Sequence, residues 1–254
     1  MIADEPTDHA AEQENYFVSM SDMMVGVLFI FIILMMYYAL QIKNTREELL
    51  GANETRARIL QQMKTSLQNK GVPVTIDTQN GVLRLPDAIL FDSARADIKP
   101  DGVKAMGHLA STLSEVLPCY TDTSQPNWKR PGSCPASPHR IDSLYIEGHT
   151  DNVRLAPTLQ FQDNWDLSVK RATNTYRALI SQAPQLQSLC AKTLVDCEPV
   201  LSVSGYADQR PVPDNSGTEE DRKRRNRRIE LRILMVTPDA GEARQAINAR
   251  SEHK

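Results

Sequence analysis

Basic residues are missing from the first 16 positions, where Asp4, Glu5, Asp8, Glu12 and Glu14 stand instead. A cleavable secretory leader needs a basic start and a small-residue cleavage site, so the apolar run that follows reads as an uncleaved signal anchor. Cys-x-x-Cys does not occur, which removes a common zinc pattern, and no second histidine stands in ligand spacing to His149. Nor is there a G-x-S-x-G, an H-E-x-x-H or a P-loop. The expectation is therefore a non-enzyme, with no catalytic residue, cofactor or metal. The run R-K-R-R-N-R-R at 222–228 lacks interleaved aromatics, and Glu219, Glu220, Asp221 and Glu230 flank it in a chain of formal charge −3. Nucleic acid is not an expected partner.

Charge is also nearly missing from residues 17–40, FVSMSDMMVGVLFIFIILMMYYAL, where Asp22 is the one formal charge in 24 positions. A helix of that length reaches about 36 Å, enough to cross membrane lipid with some tilt. A single span must satisfy its own backbone, so a transmembrane helix is expected. Asp22 lies roughly 7 to 8 Å along its axis. It reads either as a wet acid at headgroup level or as a carboxyl facing a partner inside the membrane. In the second case its isolated charge costs at least ~2.5 kcal/mol and must be paired, hydrated or protonated. Ser19, Ser21 and Gly26 suit a face where another helix comes close.

Four cysteines all follow the helix, in two local sets: Cys119 with Cys134, and Cys190 with Cys197. Such a set points to two disulfides and an oxidising compartment, with free thiols the alternative. Topology is contested within the sequence. Lys43, Arg46, Arg56 and Arg58 just after the helix favour a cytoplasmic C-terminal side, whereas the cysteines favour the opposite. We read the N-terminus as cytoplasmic.

Residues 41–71 are polar, with Leu49, Leu60, Met63 and Leu67 at roughly helical spacing. They read as a helical linker, either a solvated one or one that pairs with a copy of itself or plugs an ion path. A soluble domain is expected over 72–237 and a tail over 238–254. Strands are expected at 74–77 and 82–85 around an Asn80-Gly81 two-residue hairpin turn, with others at 143–147, 199–204 and 228–236. Helices are expected at 101–117, 165–181 and 218–226. Helices alternating with strands over a mixed sheet give an α/β or α+β class.

Several blocks carry a resemblance: Gly148-His149-Thr150-Asp151-Asn152, Asn164-Trp165-Asp166-Leu167-Ser168 with Arg171-Ala172, Gly205-Tyr206-Ala207-Asp208 with Pro211, and Arg225-Asn226-Arg227-Arg228-Ile229-Glu230. In this order they resemble the OmpA-like peptidoglycan-binding domain, nearest its MotB branch of wall-anchored stator subunits. The acidic leader, the short linker and the run from Phe17 to Gly26 resemble the ZorB subunits of Zorya anti-phage defence systems. The resemblance implies a single N-terminal transmembrane helix plus an α+β sandwich in the periplasm, at the bacterial inner membrane. It implies a homodimer, a MotA/ZorA-like multi-helix membrane partner, and Asp22 as an ion-carrying carboxylate. It assigns Asp151 and Arg171 to the zwitterionic end of peptidoglycan diaminopimelate, with Asn164 and Arg227 as supporting contacts. A guanidinium holds a carboxylate bidentately, which Lys cannot reproduce. Ala94 departs from the family, in which an asparagine at this place touches ligand.

Overall fold

The computed structural model describes residues 9–124, 131–158, 160–191, 197–213 and 216–237, with side chains from Met20 onward. The first eight residues of the acidic leader and the tail expected at 238–254 lie outside the described residues. By its contacts the chain divides into two units, Met1–Leu49 and Leu50–Lys254. Its elements are, in order, α1 (His9–Asn69), β1 (Thr75–Asp77), β2 (Val82–Pro86), α2 (Asp87–Leu90), α3 (Pro100–Val116), β3 (Asp122–Thr123) and β4 (Ile141–His149). Then come α4 (Asn164–Gln182), β5 (Leu189–Ala191), β6 (Glu198–Pro199), β7 (Leu201–Gly205), α5 (Glu219–Asn226) and β8 (Arg228–Met235).

In the first unit, α1 is long and apolar enough to cross a membrane, and its side chains from Met20 to Leu40 are exposed. The second unit holds a five-stranded sheet in the order β1-β2-β8-β4-β7, antiparallel except where β4 runs parallel to β7. That parallel pair requires a crossover, which α4 supplies. The expected α+β architecture is the one observed.

One face of the sheet is apolar. Leu83, Leu85, Leu144, Ile146, Ile229, Leu231 and Ile233 alternate along their strands with polar neighbours and join the core built with α3 and α4. Pro100 opens α3 at its first turn, where a missing N–H costs nothing. Asp163 caps α4 by accepting from the Trp165 and Asp166 amides.

The stretch expected to be a free linker is corrected here. Ala52, Thr55, Ile59, Met63 and Leu67 recur three to four residues apart on the last turns of α1, with Leu60 beside them, and all are buried. Ile59, Leu60, Met63 and Leu67 belong to the domain core itself. Ser66 Oγ meets Thr112 Oγ1 at 3.0 Å and Lys70 Nζ meets Ser111 and Thr112, tying this end of α1 to α3. The domain therefore begins near residue 50 rather than 72. From Ala52 onward the stripe is taken up by the domain core, while Leu49 and Leu50 before it are exposed.

Two smaller differences follow from local chemistry. The β1–β2 loop has four residues, 78–81, because the Asp77 carboxylate takes both the Asn80 amide and its side chain. Gly81 there has φ +72, which a side chain resists. A second sheet, β3-β5-β6, carries Cys190, and the disulfides join Cys119 to Cys134 and Cys190 to Cys197.

The sheet's other face is charged. Glu147 on β4 stands directly opposite Glu230 on β8, and Glu230 is opposite Arg84 on β2. Like charges across a pair repel, and three arginines answer them. Arg232 donates to both Glu147 oxygens and to Glu230, while Arg84 and Arg228 donate to Glu230 at 2.8 and 2.7 Å. Burial pushes the Glu147 carboxyl up, but the His149 imidazole and Arg232 outweigh it and hold it at about 2, against an ordinary 4.5.

Two outcomes are expected. Leu60→Ala should cost about 2–5 kcal/mol in urea unfolding of the full chain followed by circular dichroism. Leu49→Ala, at an exposed position, should change it by under about 0.5 kcal/mol. Equal effects would restore the linker boundary. Because the Glu147 carboxyl is depressed in the fold, its contribution is complete above about pH 4.5 and is lost as pH falls toward 2. Unfolding free energy measured across that interval should fall less steeply for Glu147→Gln than for the wild type.

Candidate functional site: a cluster of four buried and half-buried charges

Four side chains from four parts of the domain converge: Asp87 at the start of α2, Asp151 just past β4, Arg171 on α4, and Arg227 at the end of α5. The approach depends on two glycines. Gly148 on β4 and Gly205 on β7 are paired in register. A Cβ on Gly148 would run into the Ser168 carbonyl oxygen, and one on Gly205 would stand 2.7 Å from Ser168 Oγ. The first turns of α4 therefore lie directly on the ends of these strands. Ser168 Oγ accepts the Ala207 amide at 3.1 Å, which joins α4 to the loop after β7.

Arg171, one turn further, is 2 % exposed. Its Nε donates to the Arg95 carbonyl at 2.8 Å, Nη1 to Asp87 Oδ2 at 2.9 Å and Nη2 to the Asp92 carbonyl at 3.1 Å. Its guanidinium also covers the Phe91 ring at 5.2 Å. The turn at 92–95 presents both carbonyls with Ala94 at φ +55. This is a left-handed position that asparagine tolerates better than alanine. Arg171 is thus buried and fully engaged inside the domain rather than displayed at its surface.

Asp151 Oδ2 accepts from Arg227 Nη1 at 2.6 Å, and its Oδ1 accepts the Val153 amide at 3.1 Å. The Arg227 side chain is 33 % exposed, the most open of the four. Asp151 and Arg171 thus share one cluster, but each is already paired with another member. Asn164 directs its amide group to the carbonyls of Asp151 and Val153, so it holds the loop. Burial raises the Asp87 carboxyl above its ordinary value although Arg171 and Arg227 both oppose that shift. Asp87 is also tied to Arg227 through its backbone amide, which donates to the Arg227 carbonyl. Two carboxylates and two guanidiniums leave the cluster formally neutral.

Sequence reasoning missed Asp87. The available signal was an acid set between Leu85 and the apolar run Ala88-Ile89-Leu90-Phe91, a place where burial without a cation is costly. Beside the cluster, Asn152 and Asn226 help to line a groove of about 310 Å³ with Asp208, Glu219, Arg222 and Lys223. The basic run is largely paired: Lys223 with Glu219, Arg224 with Asp221, Arg227 with Asp151 and Arg228 with Glu230. Before α4, Leu155 and Phe161 pack against Ala96 and Leu167.

Glu147, His149 and Glu230 bring three ligand-type atoms within 4.8 Å of one another. His149 Nε2 lies 3.8 Å from Glu147 and 3.7 Å from Glu230, beyond hydrogen-bond range, and its ring stacks on Tyr206. Three arginines already outnumber the two carboxylates there. Both carboxylates already accept from arginines through each of their oxygens, and Arg84 is held by Asp77 as well, so this triad does not suit a metal.

Asp22 lies in the first unit among exposed apolar side chains. Met20, Met23, Met24, Val27, Leu28 and Phe31 form a stripe and line a shallow groove. At about 100° per residue, Asp22 and Gly26 fall on roughly the opposite side of the helix.

No family model matches the chain. Motility protein B of Bacillus subtilis is 31% identical over 173 residues, which are 68% of this chain and 49% of that protein. The probable lipoprotein YiaD of Escherichia coli is 26% identical over 172 residues, 68% of this chain and 59% of that protein. A putative MotB-like protein from Desulfovibrio vulgaris aligns with 75% of this chain and 99% of its own, at 21% identity and a TM-score of 0.49. The chain spans about half the length of the curated relatives it matches. Over two thirds of its own length, it is similar in sequence to Motility protein B.

Proposed function

We propose that this protein is the peptidoglycan-binding subunit of an inner-membrane, ion-driven motor of the MotA/MotB type, working in anti-phage defence. One observation carries the reading. A single chain, similar to Motility protein B, joins a lone carboxyl in a membrane-length helix to a buried cluster of paired acids and guanidiniums. A passive tether between membrane and wall has a use for the cluster and none for Asp22.

In this reading the chain crosses the inner membrane once, with its N-terminus cytoplasmic and its domain periplasmic, where the two disulfides are at home. Two copies form a dimer fixed to the wall through Asp151 and Arg171, with Arg227 beside them. A MotA/ZorA-like multi-helix subunit surrounds their helices. Asp22 accepts a proton from one side and releases it to the other. Each proton crossing about 100 mV yields roughly 2.3 kcal/mol, enough to bias a conformational step. Defence is preferred to flagellar rotation because the wording of residues 17–26 and the acidic leader resemble the Zorya subunits.

Asp22→Asn keeps size and hydrogen bonding but removes the titrating group. In cells making the protein with its membrane partner, proton flux and phage protection should both be abolished while the complex still assembles. Persistence of both would leave the helix a mere anchor. Arg171→Lys keeps the charge but not the fork, and removing a charged hydrogen bond costs about 1.5–3 kcal/mol. Sedimentation of full-length protein with purified sacculi should therefore weaken by about tenfold to a hundredfold. Unchanged sedimentation would remove the wall-binding role of this cluster.

A further inference from the structure

Four arginines meet in a cavity that is separate from the wall-binding cluster. It has a volume of about 460 Å³, a size that suits a small molecule. Arg84 of β2, Arg224 and Arg225 of α5 and Arg228 of β8 line it, together with Pro86 and Val212, and no acid does. Asp87, Asp151, Arg171 and Arg227 are not part of its lining.

Strand register assembles one side of the cavity. Arg84 and Pro86 stand two apart on β2, hence on one face of the sheet, and Pro86 is paired across with Arg228. Glu230, opposite Arg84, accepts the Nε of Arg84 and of Arg228 at 2.8 and 2.7 Å. The other side is α5, held by its Thr218–Asp221 capping box and by the Val212 amide, which donates to Asn226 Oδ1 at 2.9 Å. Four cations around one cavity repel, and the acids that hold three of them, Asp77, Glu230 and Asp221, stand outside its lining. A cleft lined by one sign of charge between apolar walls concentrates the field that draws an anion.

Donors remain for that anion. A guanidinium carries one hydrogen on Nε and two on each terminal nitrogen. Arg84 gives Nε to Glu230 and Nη2 to Asp77, so Nη1 keeps both of its hydrogens. Arg224 gives Nη2 to Asp221, and among the described residues its Nε and Nη1 donate to nothing. Arg228 is engaged at all three nitrogens, yet one hydrogen stays on each of Nη1 and Nη2. Arg84 is partly exposed and Arg224 widely so, which lets a ligand reach them. These donors come from three separate elements. One fork satisfies a planar carboxylate, whereas a phosphate monoester offers three terminal oxygens and nearly two charges.

We propose that this cavity binds a phosphate monoester, with Arg84, Arg224 and Arg228 donating to its oxygens and Pro86 and Val212 against its organic body. A phosphodiester, with two terminal oxygens, leaves one of the three arginines without an acceptor. The site goes beyond the wall-binding reading and does not depend on it.

The test uses full-length protein in a maltoside detergent and a phosphate-free buffer. Glycerol 3-phosphate is compared by calorimetry with glycerate, which carries a carboxylate in place of the phosphate. The phosphate should bind about tenfold tighter or better. Arg224→Gln should weaken it by about threefold to tenfold, and Arg84→Lys, which keeps the charge but loses the fork, by about tenfold. Arg222→Gln removes the same charge two positions away on α5 but outside the cavity, and should change binding by less than about twofold. No binding of glycerol 3-phosphate, equal binding of glycerate, or equal losses in Arg222→Gln and Arg224→Gln overturns the site. Because Arg84 also holds the buried Glu230, its variant can fail to fold, and protection of the wild type then decides. Glycerol 3-phosphate should slow phenylglyoxal labelling of Arg224, mapped by mass spectrometry, by about threefold or more and leave Arg222 unchanged. Uniform labelling overturns the site. Dihexanoyl phosphatidate then separates the sources within a supported site: binding about tenfold tighter than glycerol 3-phosphate assigns a lipid headgroup, and equal or weaker binding a soluble phosphate.

Discussion

Helix α4 lies against the sheet with no room for a single methyl group, and the domain is arranged around that contact. Gly148 and Gly205 face the backbone and hydroxyl of Ser168 at distances that no Cβ tolerates. Because the contact is between backbones, it fixes both the height and the rotation of the helix. Arg171 follows from it. Three residues beyond Ser168, it is carried under the turn at 92–95, where carbonyls and Asp87 are waiting.

The domain buries charge in two places, and the two are built differently. On the outer face of the sheet, both oxygens of Glu147 and of Glu230 accept from a guanidinium, while both ring nitrogens of the neighbouring His149 are buried without a hydrogen-bond partner. Breaking one member there leaves another buried and unpaired, the costly case for ion pairs. The cluster of Asp87, Asp151, Arg171 and Arg227 is neutral but open, with an acceptor unmet on Asp87.

What the sequence revealed depended on how local the signal was. The apolar run over 17–40 and the short disulfide loops are written in neighbouring residues, and the helix ends follow from proline and capping chemistry close by. Leu60, Met63 and Leu67 were visible as a stripe, but a stripe does not say what it packs against, so it read as a linker. Asp87 and Arg171 are 84 residues apart, and nothing in the spacing announces their pairing. Asp151 and Arg171 came from recognised blocks, which identify residues but not their partners in the unliganded fold. The β3-β5-β6 sheet has strands of two or three residues, too short for alternation to register.

Because the last turns of α1 fill the core, their length is not free to vary. Inserting or deleting one residue between Ala52 and Leu67 would turn everything beyond it by about 100°. Leu60, Met63 and Leu67 would then face water, and polar neighbours such as Gln61 and Lys64 would turn toward the core. Insertions and deletions in relatives of this chain should therefore collect between residues 41 and 50, or come in steps of seven that restore the helical phase.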